Sequence, residues 1–219
     1  MTRDEFCNHY WSYYIALEKD FLLIERYVRF EMGDNCLYDR ATVTDYGNSI
    51  VYSDELIKQY LSICSEVDVI LKSICIDLGD SVSNSMPGYT ETVLTQWPSI
   101  IGERVKIRNM ELIPFMNWSR NPYASADWWT PYNNVKHQRL TNYKEANLKN
   151  VLNALSGLYL LETYYVRYIG QRDNVRDVAN DVSKLFQIEN FETKDKVIGY
   201  ESYLIRADEI EAMFIENSE

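Results

Sequence analysis

One short stretch of the sequence, DWWTPYNNVKHQR, carries the side chains best suited to chemistry on an anionic ligand. Its candidate ligand-binding residues are Tyr132, Asn133, Lys136, His137 and Arg139. In a helix, Asn133 and His137 lie one turn apart on the same face. Lysine and arginine supply positive charge, arginine binds phosphate with two parallel hydrogen bonds, and histidine transfers protons near neutral pH. The stretch predicts an anion-binding edge over an aromatic floor, with His137 and Arg139 as candidate catalytic residues.

The same stretch has a simpler interpretation, in which it only anchors the start of a helix. Asp127 would then be the N-cap, and Trp128, Tyr132 and Val135 would turn into the core. The polar side chains would face water or satisfy the preceding loop. The spacing is compatible with both interpretations, so both remain open.

The charge of the chain is distributed unevenly. The net charge is −11, yet residues 101–172 carry ten basic and five acidic side chains. The acidic side chains are concentrated in residues 31–100 and 173–219. An acidic protein repels polyanions at long range, but a local basic region can hold one at short range. The alternative is that this basic region neutralises its acidic flanks within the fold.

Hydrophobic periodicity predicts a mainly α fold, a helical bundle with two or three long antiparallel helices. The long helices are expected over residues 5–30, 53–78 and 142–170. Ser53 is the predicted N-cap of the second helix, and Gly79 is predicted to end it. A shorter helix is expected near residues 90–100, and ERVKIRNMELIPF predicts a small β-ribbon.

The predicted domain organisation has two parts. Residues 1–172 are expected to form the helical bundle. Residues 173–219 are expected to form an acidic appendage with short strands at KLFQIE and YESYLI, packed on the same domain. A final helix is expected near residues 207–216.

Several classes of site have no support in the sequence. No GxSxG turn or phosphate-binding glycine loop is present, and the four cysteines form no CxxC pair. Glutamates at positions 18, 25, 66 and 162 lie on or beside apolar stripes, but no Glu-x-x-His pair accompanies them. They are expected to accept hydrogen bonds from tyrosine hydroxyls or to pair with the basic region. No metal or cofactor is therefore expected.

Targeting signals are also missing from the sequence. The N-terminus lacks the pattern of a signal peptide, and no stretch approaches the eighteen or more apolar residues of a membrane helix. These features lead us to expect a cytoplasmic protein with reduced cysteines and no membrane contact.

A bundle of long antiparallel helices, one of them opened by YNNVKHQR, resembles the HEPN superfamily. These are small helical domains of prokaryotic toxin, abortive-infection and RNA-processing systems. The resemblance covers roughly residues 5–170. It implies an RNA-binding homodimer in a toxin–antitoxin or phage-defence context, and its catalytic members are metal-independent ribonucleases.

The sequence departs from the motif of the catalytic members. They carry an arginine followed by a polar residue, and four to six positions separate the arginine from the histidine. His137 would need an arginine at position 130, 131 or 132, where Thr130, Pro131 and Tyr132 stand. That spacing occurs instead from Arg3 to His9, at the N-terminus. Cleavage at His137 is therefore not supported by the motif.

A second class of function needs no chemistry. The chain has 18 tyrosines, and tyrosine is favoured at interfaces because its ring is apolar and its hydroxyl can form a hydrogen bond. The alternative is a non-catalytic interaction module that binds a protein partner through a tyrosine-rich surface.

Overall fold

The computed structural model describes residues 1–32 and 47–188, together with the backbone of two strands, β6 (Phe191–Asp195) and β7 (Ser202–Arg206). These two strands pair antiparallel with each other. The helix expected near residues 207–216 lies outside the described residues.

The N-terminal helix begins at Arg3 and ends at Ile24. Thr2 caps it, because its side chain accepts from the Glu5 amide while the Glu5 carboxylate accepts from the Thr2 amide. Its first segment is α1 (Arg3–Phe6), a wide π-helical turn follows over Cys7–Trp11, and α2 (Ser12–Ile24) completes it. The helix therefore begins two residues before the predicted start and ends six residues before the predicted end.

The second long helix, α3 (Asp54–Asp77), follows its sequence signals closely. The Ser53 hydroxyl accepts from the Leu56 amide at 3.1 Å, as an N-cap side chain does. Gly79 follows the helix with a φ of +89°, in the left-handed region that glycine adopts without strain. Both predicted ends are confirmed.

The longest helix, α7 (Leu148–Asp173), is buried around nearly its whole circumference. Asn147 caps it by accepting from the Asn150 amide at 3.0 Å. The predicted start near residue 142 is wrong, because a short helix, α6 (Arg139–Asn142), and a 3-10 turn (Tyr143–Glu145) precede it.

The long helices do not all run in opposite directions. The Leu148 amide donates to the Val51 carbonyl at one end of the pair, and the Tyr165 hydroxyl donates to the Asp77 carboxylate at the other. α3 and α7 are therefore parallel to each other. The N-terminal helix is antiparallel to both, since its Met1 ammonium binds Asp77 at 3.1 Å. The expectation of antiparallel helices is correct for the N-terminal helix and wrong for the two longest.

Short elements fill the long connection between α3 and α7. The shorter helix is α4 (Met86–Gln96), followed by a 3-10 turn. The predicted β-ribbon is confirmed as β1 (Val105–Ile107) paired antiparallel with β2 (Met110–Leu112). A second ribbon joins β3 (Ser119–Arg120) to β4 (Tyr123–Ala124), and α5 (Trp129–His137) then leads into α6.

The described beginning of the predicted appendage packs against the helices. The Arg3 guanidinium donates to the Val178 carbonyl, and the Trp11 indole donates to the Asp181 carbonyl at 3.0 Å. Leu185 and Phe186 are buried in the helical core, and β5 (Gln187–Ile188) pairs with β1. The fold is mainly α with small sheets, as predicted. Among the described residues, none of the helices has both the length and the apolar character needed to cross a membrane.

Candidate functional site

The helix α5, on which all the candidate residues except Arg139 lie, is anchored by tryptophan rather than by a carboxylate. Asp127 is not its N-cap; its carboxylate accepts from the Asn117 amide group at 2.6 Å instead. Trp128 occupies the capping position, and its indole donates to the Pro114 carbonyl at 2.8 Å. The Tyr60 hydroxyl of α3 donates to the Trp128 carbonyl, which ties the helix start to the bundle. The N-cap prediction for Asp127 was wrong because burial of the indole fixes this helix start.

Tyr132 forms the floor of the site and is almost completely buried. Its ring centroid lies 5.0 Å from that of Trp129 and 6.0 Å from that of Tyr60. The Lys136 ammonium lies 5.4 Å from the centroid of the Tyr132 ring, within the range of a cation–π contact. Burial raises the pKa of Tyr132, while the nearby Lys136 opposes the shift. Tyr132 therefore positions Lys136 and has little surface of its own to offer a ligand.

The chain turns back on itself directly after α5. The Asn134 carbonyl accepts from the Gln138 amide at 2.8 Å and from the Asn142 side chain at 3.4 Å. The Asn134 side-chain amide donates to the Glu145 carboxylate at 2.9 Å. These bonds fold residues 138–145 into a tight corner against the last turn of α5.

The predicted site residues lie at this corner. Lys136, His137 and Arg139 are exposed, and Asn133 is half-buried on α5. Lys144 is exposed on the 3-10 turn that closes the corner, and the sequence analysis did not single it out. We call the exposed basic side chains of this turn, Lys136, His137, Arg139 and Lys144, the basic corner.

Two exposed tyrosines lie beside the basic corner and were also missed. Tyr52 is brought there by an isolated β-bridge with Asn147, although the two residues are far apart in the sequence. Its ring centroid lies 5.3 Å from that of Tyr143, and the Lys144 ammonium lies 5.9 Å from the Tyr52 centroid. Tyr143 could have been found from its place beside Lys144 in the basic region. No local signal could have placed Tyr52.

The basic region of residues 101–172 divides into paired and unpaired cations. Four of its arginines form ion pairs, Arg104 with Glu111, Arg108 with Glu25, Arg120 with Glu91, and Arg172 with Asp77. In the part of the chain that the structure describes, no member of the basic corner forms an ion pair. The neutralisation hypothesis therefore holds for Arg120 and Arg172, whose partners lie in the acidic residues 31–100, and not for the basic corner.

The geometry gives His137 no orienting partner among the described residues. It is the last residue of α5, its imidazole is exposed, and no carboxylate fixes the ring. A general base is usually held by a hydrogen bond to a third group. Arg139 lies beyond it at the start of α6, also exposed. Their predicted catalytic roles stay predictions, and this arrangement offers binding groups more clearly than proton-transfer groups.

Arg3 and His9, which have the spacing of the HEPN motif, do not form a site together. The Arg3 guanidinium is half-buried and donates to the Val178 carbonyl at 2.6 Å and to the Asn180 side chain at 2.9 Å. His9 is exposed on the π-helical turn. Arg3 therefore holds residues 178–180 against the helix rather than facing His9 across a site.

The glutamates on or beside the apolar stripes differ in their partners. Glu18 accepts from the Tyr14 hydroxyl at 2.6 Å, and Glu25 pairs with Arg108 at 2.8 Å, as expected for both. Glu162 is completely buried, and neither carboxylate oxygen has a hydrogen-bond partner among the described residues. The expectation of a tyrosine or basic partner is wrong for Glu162. In the described part of the chain, no three or more histidine, cysteine, aspartate or glutamate side chains are grouped so that they could hold a metal ion.

Comparison of the chain with protein-family models, with curated proteins and with solved structures found no match. The resemblance to the HEPN superfamily therefore rests on the stretch at residues 132–139 alone, which lies on α5 and the start of α6 and does not open one of the long helices.

Proposed function

We propose that the basic corner binds RNA, with Lys136, Arg139 and Lys144 contacting phosphates and His137 and Asn133 adding hydrogen bonds. The observation that carries this proposal is the absence of ion pairs at the basic corner within the described residues, while arginines elsewhere in the same region are paired. Exposed cations that form no ion pair are available to neutralise phosphates, and the counterions released on binding favour the complex.

The neighbouring tyrosines support RNA rather than a simple anion. Tyr52 and Tyr143 each expose more than a third of their surface. Unpaired bases stack on exposed aromatic side chains, whereas an inorganic anion gains nothing from them. Lys144 beside the Tyr52 ring would place a phosphate contact next to a stacking surface.

Binding without cleavage is the form of the proposal that the geometry favours. A metal-independent ribonuclease needs groups that transfer protons in fixed positions. His137 is exposed and has no orienting partner among the described residues, and the arginine of the HEPN motif is missing from the positions that precede it. The same proposal includes a role in a toxin–antitoxin or phage-defence system, because the HEPN resemblance implies one.

The test is a binding and cleavage assay with a fluorescently labelled single-stranded RNA in EDTA. We expect binding that weakens about tenfold or more when Lys136, Arg139 and Lys144 are all changed to alanine, and no cleavage. Lys72→Ala removes an exposed lysine of α3, outside the basic corner, and is the control for the loss of a surface cation. Binding that is unaffected by the triple change would contradict the proposal. RNA cleavage lost with His137→Ala would show that the basic corner is catalytic as well.

A second candidate function is supported by a different surface. Tyr13, Leu23 and Tyr27 are exposed along the solvent side of α2 and the turn after it, and 88% of Tyr27 is accessible. Such a stripe suits a protein partner, and the predicted homodimer is the first partner to test. Sedimentation should then show a dimer that Leu23→Ser together with Tyr27→Ser converts to a monomer. A monomeric wild-type protein would exclude a second copy as the partner of this stripe.

A further inference from the structure

The turn that forms the basic corner also carries an apolar side chain that the fold leaves in water. Leu140 lies on α6 between Arg139 and Tyr143, and 91% of its surface is exposed. Folding gains almost nothing from a leucine in this position, because hydrophobic stabilisation is proportional to the apolar area removed from water. A ligand that covers Leu140 would gain this stabilisation instead.

Leu140 lies close to the exposed tyrosines beside the basic corner. About one helical turn separates it from Tyr143, whose ring contacts that of Tyr52. The 3-10 turn that holds Tyr143 contacts both α5 and α6. Apolar and positively charged side chains therefore share one small surface.

The two forms of RNA offer different groups to such a surface. A duplex turns its phosphates and ribose hydroxyls outward, stacks its bases inside, and has a major groove that side chains cannot read. A leucine pressed against a duplex would displace water from phosphates without replacing its hydrogen bonds. An unpaired strand presents the faces of its bases together with its phosphates. Leu140 among the cations and tyrosines therefore matches an unpaired strand.

The acidic character of the whole chain favours the same form of RNA. The net charge is −11, and the basic corner offers Lys136, Arg139 and Lys144 against it. A nucleic-acid duplex carries about one negative charge per 1.7 Å of its axis, twice the density of one strand. Phosphates that the basic corner does not contact are repelled by the acidic remainder of the protein. This repulsion disfavours a duplex more than a single strand.

We propose that Leu140 packs against an unpaired base and makes the basic corner selective for unpaired RNA over duplex RNA. The inference rests on the proposed RNA binding and deepens it by naming the form of RNA. Lys136, Arg139 and Lys144 contact phosphates, which both forms possess. Leu140 contacts a base face, which only the unpaired form exposes, and is therefore the specificity-determining residue.

The test compares two RNAs by fluorescence anisotropy in the same buffer. One is a labelled single strand of about ten nucleotides, and the other is the same strand annealed to its complement. Leu140→Ser removes the apolar side chain at a position that has little packing to lose. Val82→Ser is the matched control, because Val82 is 84% exposed and follows α3, at the opposite end of that helix from Tyr52. Leu140→Trp replaces the leucine with a ring that also stacks on a base.

We expect the wild type to bind the single strand about tenfold or more tightly than the duplex. Leu140→Ser should weaken single-strand binding about fivefold or more and leave duplex binding unchanged. The salt dependence of single-strand binding should stay the same in this variant, because no phosphate contact is lost. Leu140→Trp should bind the single strand at least as tightly as the wild type. Val82→Ser should change neither affinity.

Each of the following results would overturn the inference and leave the proposed RNA binding intact: equal affinity of the wild type for the two RNAs, single-strand binding unaffected by Leu140→Ser, an equal loss for both RNAs, or weaker single-strand binding by Leu140→Trp. If the wild type binds neither RNA, the proposed function and this inference both fail. Binding to vesicles of phosphatidylcholine and phosphatidylserine that is lost with Leu140→Ser, with RNA binding unchanged, would assign Leu140 to a lipid surface instead.

Discussion

At the scale of single residues, Glu162 is the feature that ordinary packing explains least. Its carboxyl group lies inside the bundle on α7 and has no hydrogen-bond partner among the described residues. Burial, together with the nearby Glu66 carboxyl, raises the pKa of Glu162 well above its ordinary value. The neutral form is favoured because an unpaired buried charge is far more costly than an unpaired carboxylic acid.

This raised pKa makes stability depend on pH. In the unfolded chain the carboxyl ionises near pH 4.3. The folded protein keeps the proton, so Glu162 makes folding less favourable as the pH rises above about 4.3. We expect Glu162→Gln to match the wild type near pH 4 and to be more stable at pH 7, by at least about 1 kcal/mol. Urea unfolding at both pH values measures this difference, and a difference that stays constant with pH would contradict it.

The contribution of Asp80 to stability depends on pH in the opposite direction. Its carboxylate accepts from the amides of Val82 and Ser83 and from the hydroxyls of Ser83 and Thr92, the last two at 2.5 Å. These bonds lower the pKa of Asp80 to about 2. They order the turn between α3 and α4.

We expect Asp80→Asn to lower the melting temperature at pH 7, because asparagine carries no charge for these donors to stabilise. The unfolded carboxyl has a pKa near 3.9. The wild-type advantage should therefore shrink as the pH falls below about 4 and disappear near pH 2. Melting curves over this range test the prediction, with the exposed Asp20→Asn as the control. An advantage that persists unchanged at pH 2 would show that the charge of Asp80 is not the cause.

Some residues of the site could be predicted from the sequence, and others could not. The exposed positions of Lys136, His137 and Arg139 agree with the predicted polar edge. Tyr132 was predicted as a ligand-binding residue, but it is buried beneath Lys136 and belongs to the aromatic floor. Tyr52 could not be predicted, because its position depends on a bridge to Asn147 that forms only in the folded chain.

At the scale of elements, local signals were sufficient where a helix end depends on its own residues. Ser53 and Gly79 mark the ends of α3 correctly, because capping and a left-handed glycine are local effects. Asp127 is a residue type that often caps helices, but the buried Trp128 indole, which donates to the Pro114 carbonyl, fixes the start of α5 instead. The parallel direction of α3 and α7 was not predictable from periodicity, which reports faces and not directions.

The end of α7 offers a direct test of how tightly the following chain is packed. A Cβ atom added at Gly170 would lie 2.3 Å from the Asp177 Cα atom, which is backbone and cannot rotate away. We expect Gly170→Ala to destabilise the protein by about 1 to 3 kcal/mol, despite the higher helix propensity of alanine. Chemical denaturation measures the change.

Gly102→Ala is the matched control for this change. Gly102 ends the 3-10 turn after α4, and an added Cβ atom would meet no atom within 4 Å. Its effect should stay within about 0.5 kcal/mol of the wild type. Equal effects at the two glycines would mean that Asp177 does not pack closely against α7 at Gly170.

At the scale of the whole molecule, the negative net charge opposes the proposed RNA binding. The chain carries a net charge of −11, which repels RNA at long range. Ionic strength screens this repulsion over about 10 Å at 0.1 M salt, so contacts at the basic corner act where the repulsion is weak. The amphipathic patterns predicted the mainly α class, while the pairing of individual arginines depended on the tertiary fold.

The salt dependence of RNA binding reports how many phosphates the basic corner contacts. Each phosphate contact contributes a slope of about −0.7 to the logarithm of affinity against the logarithm of salt concentration for a single strand. We predict that changing Lys136, Arg139 and Lys144 together to alanine makes the slope less steep by about 2. Lys72→Ala should leave it unchanged. A slope that is the same in the wild type and the triple variant would show that the basic corner does not contact the RNA backbone.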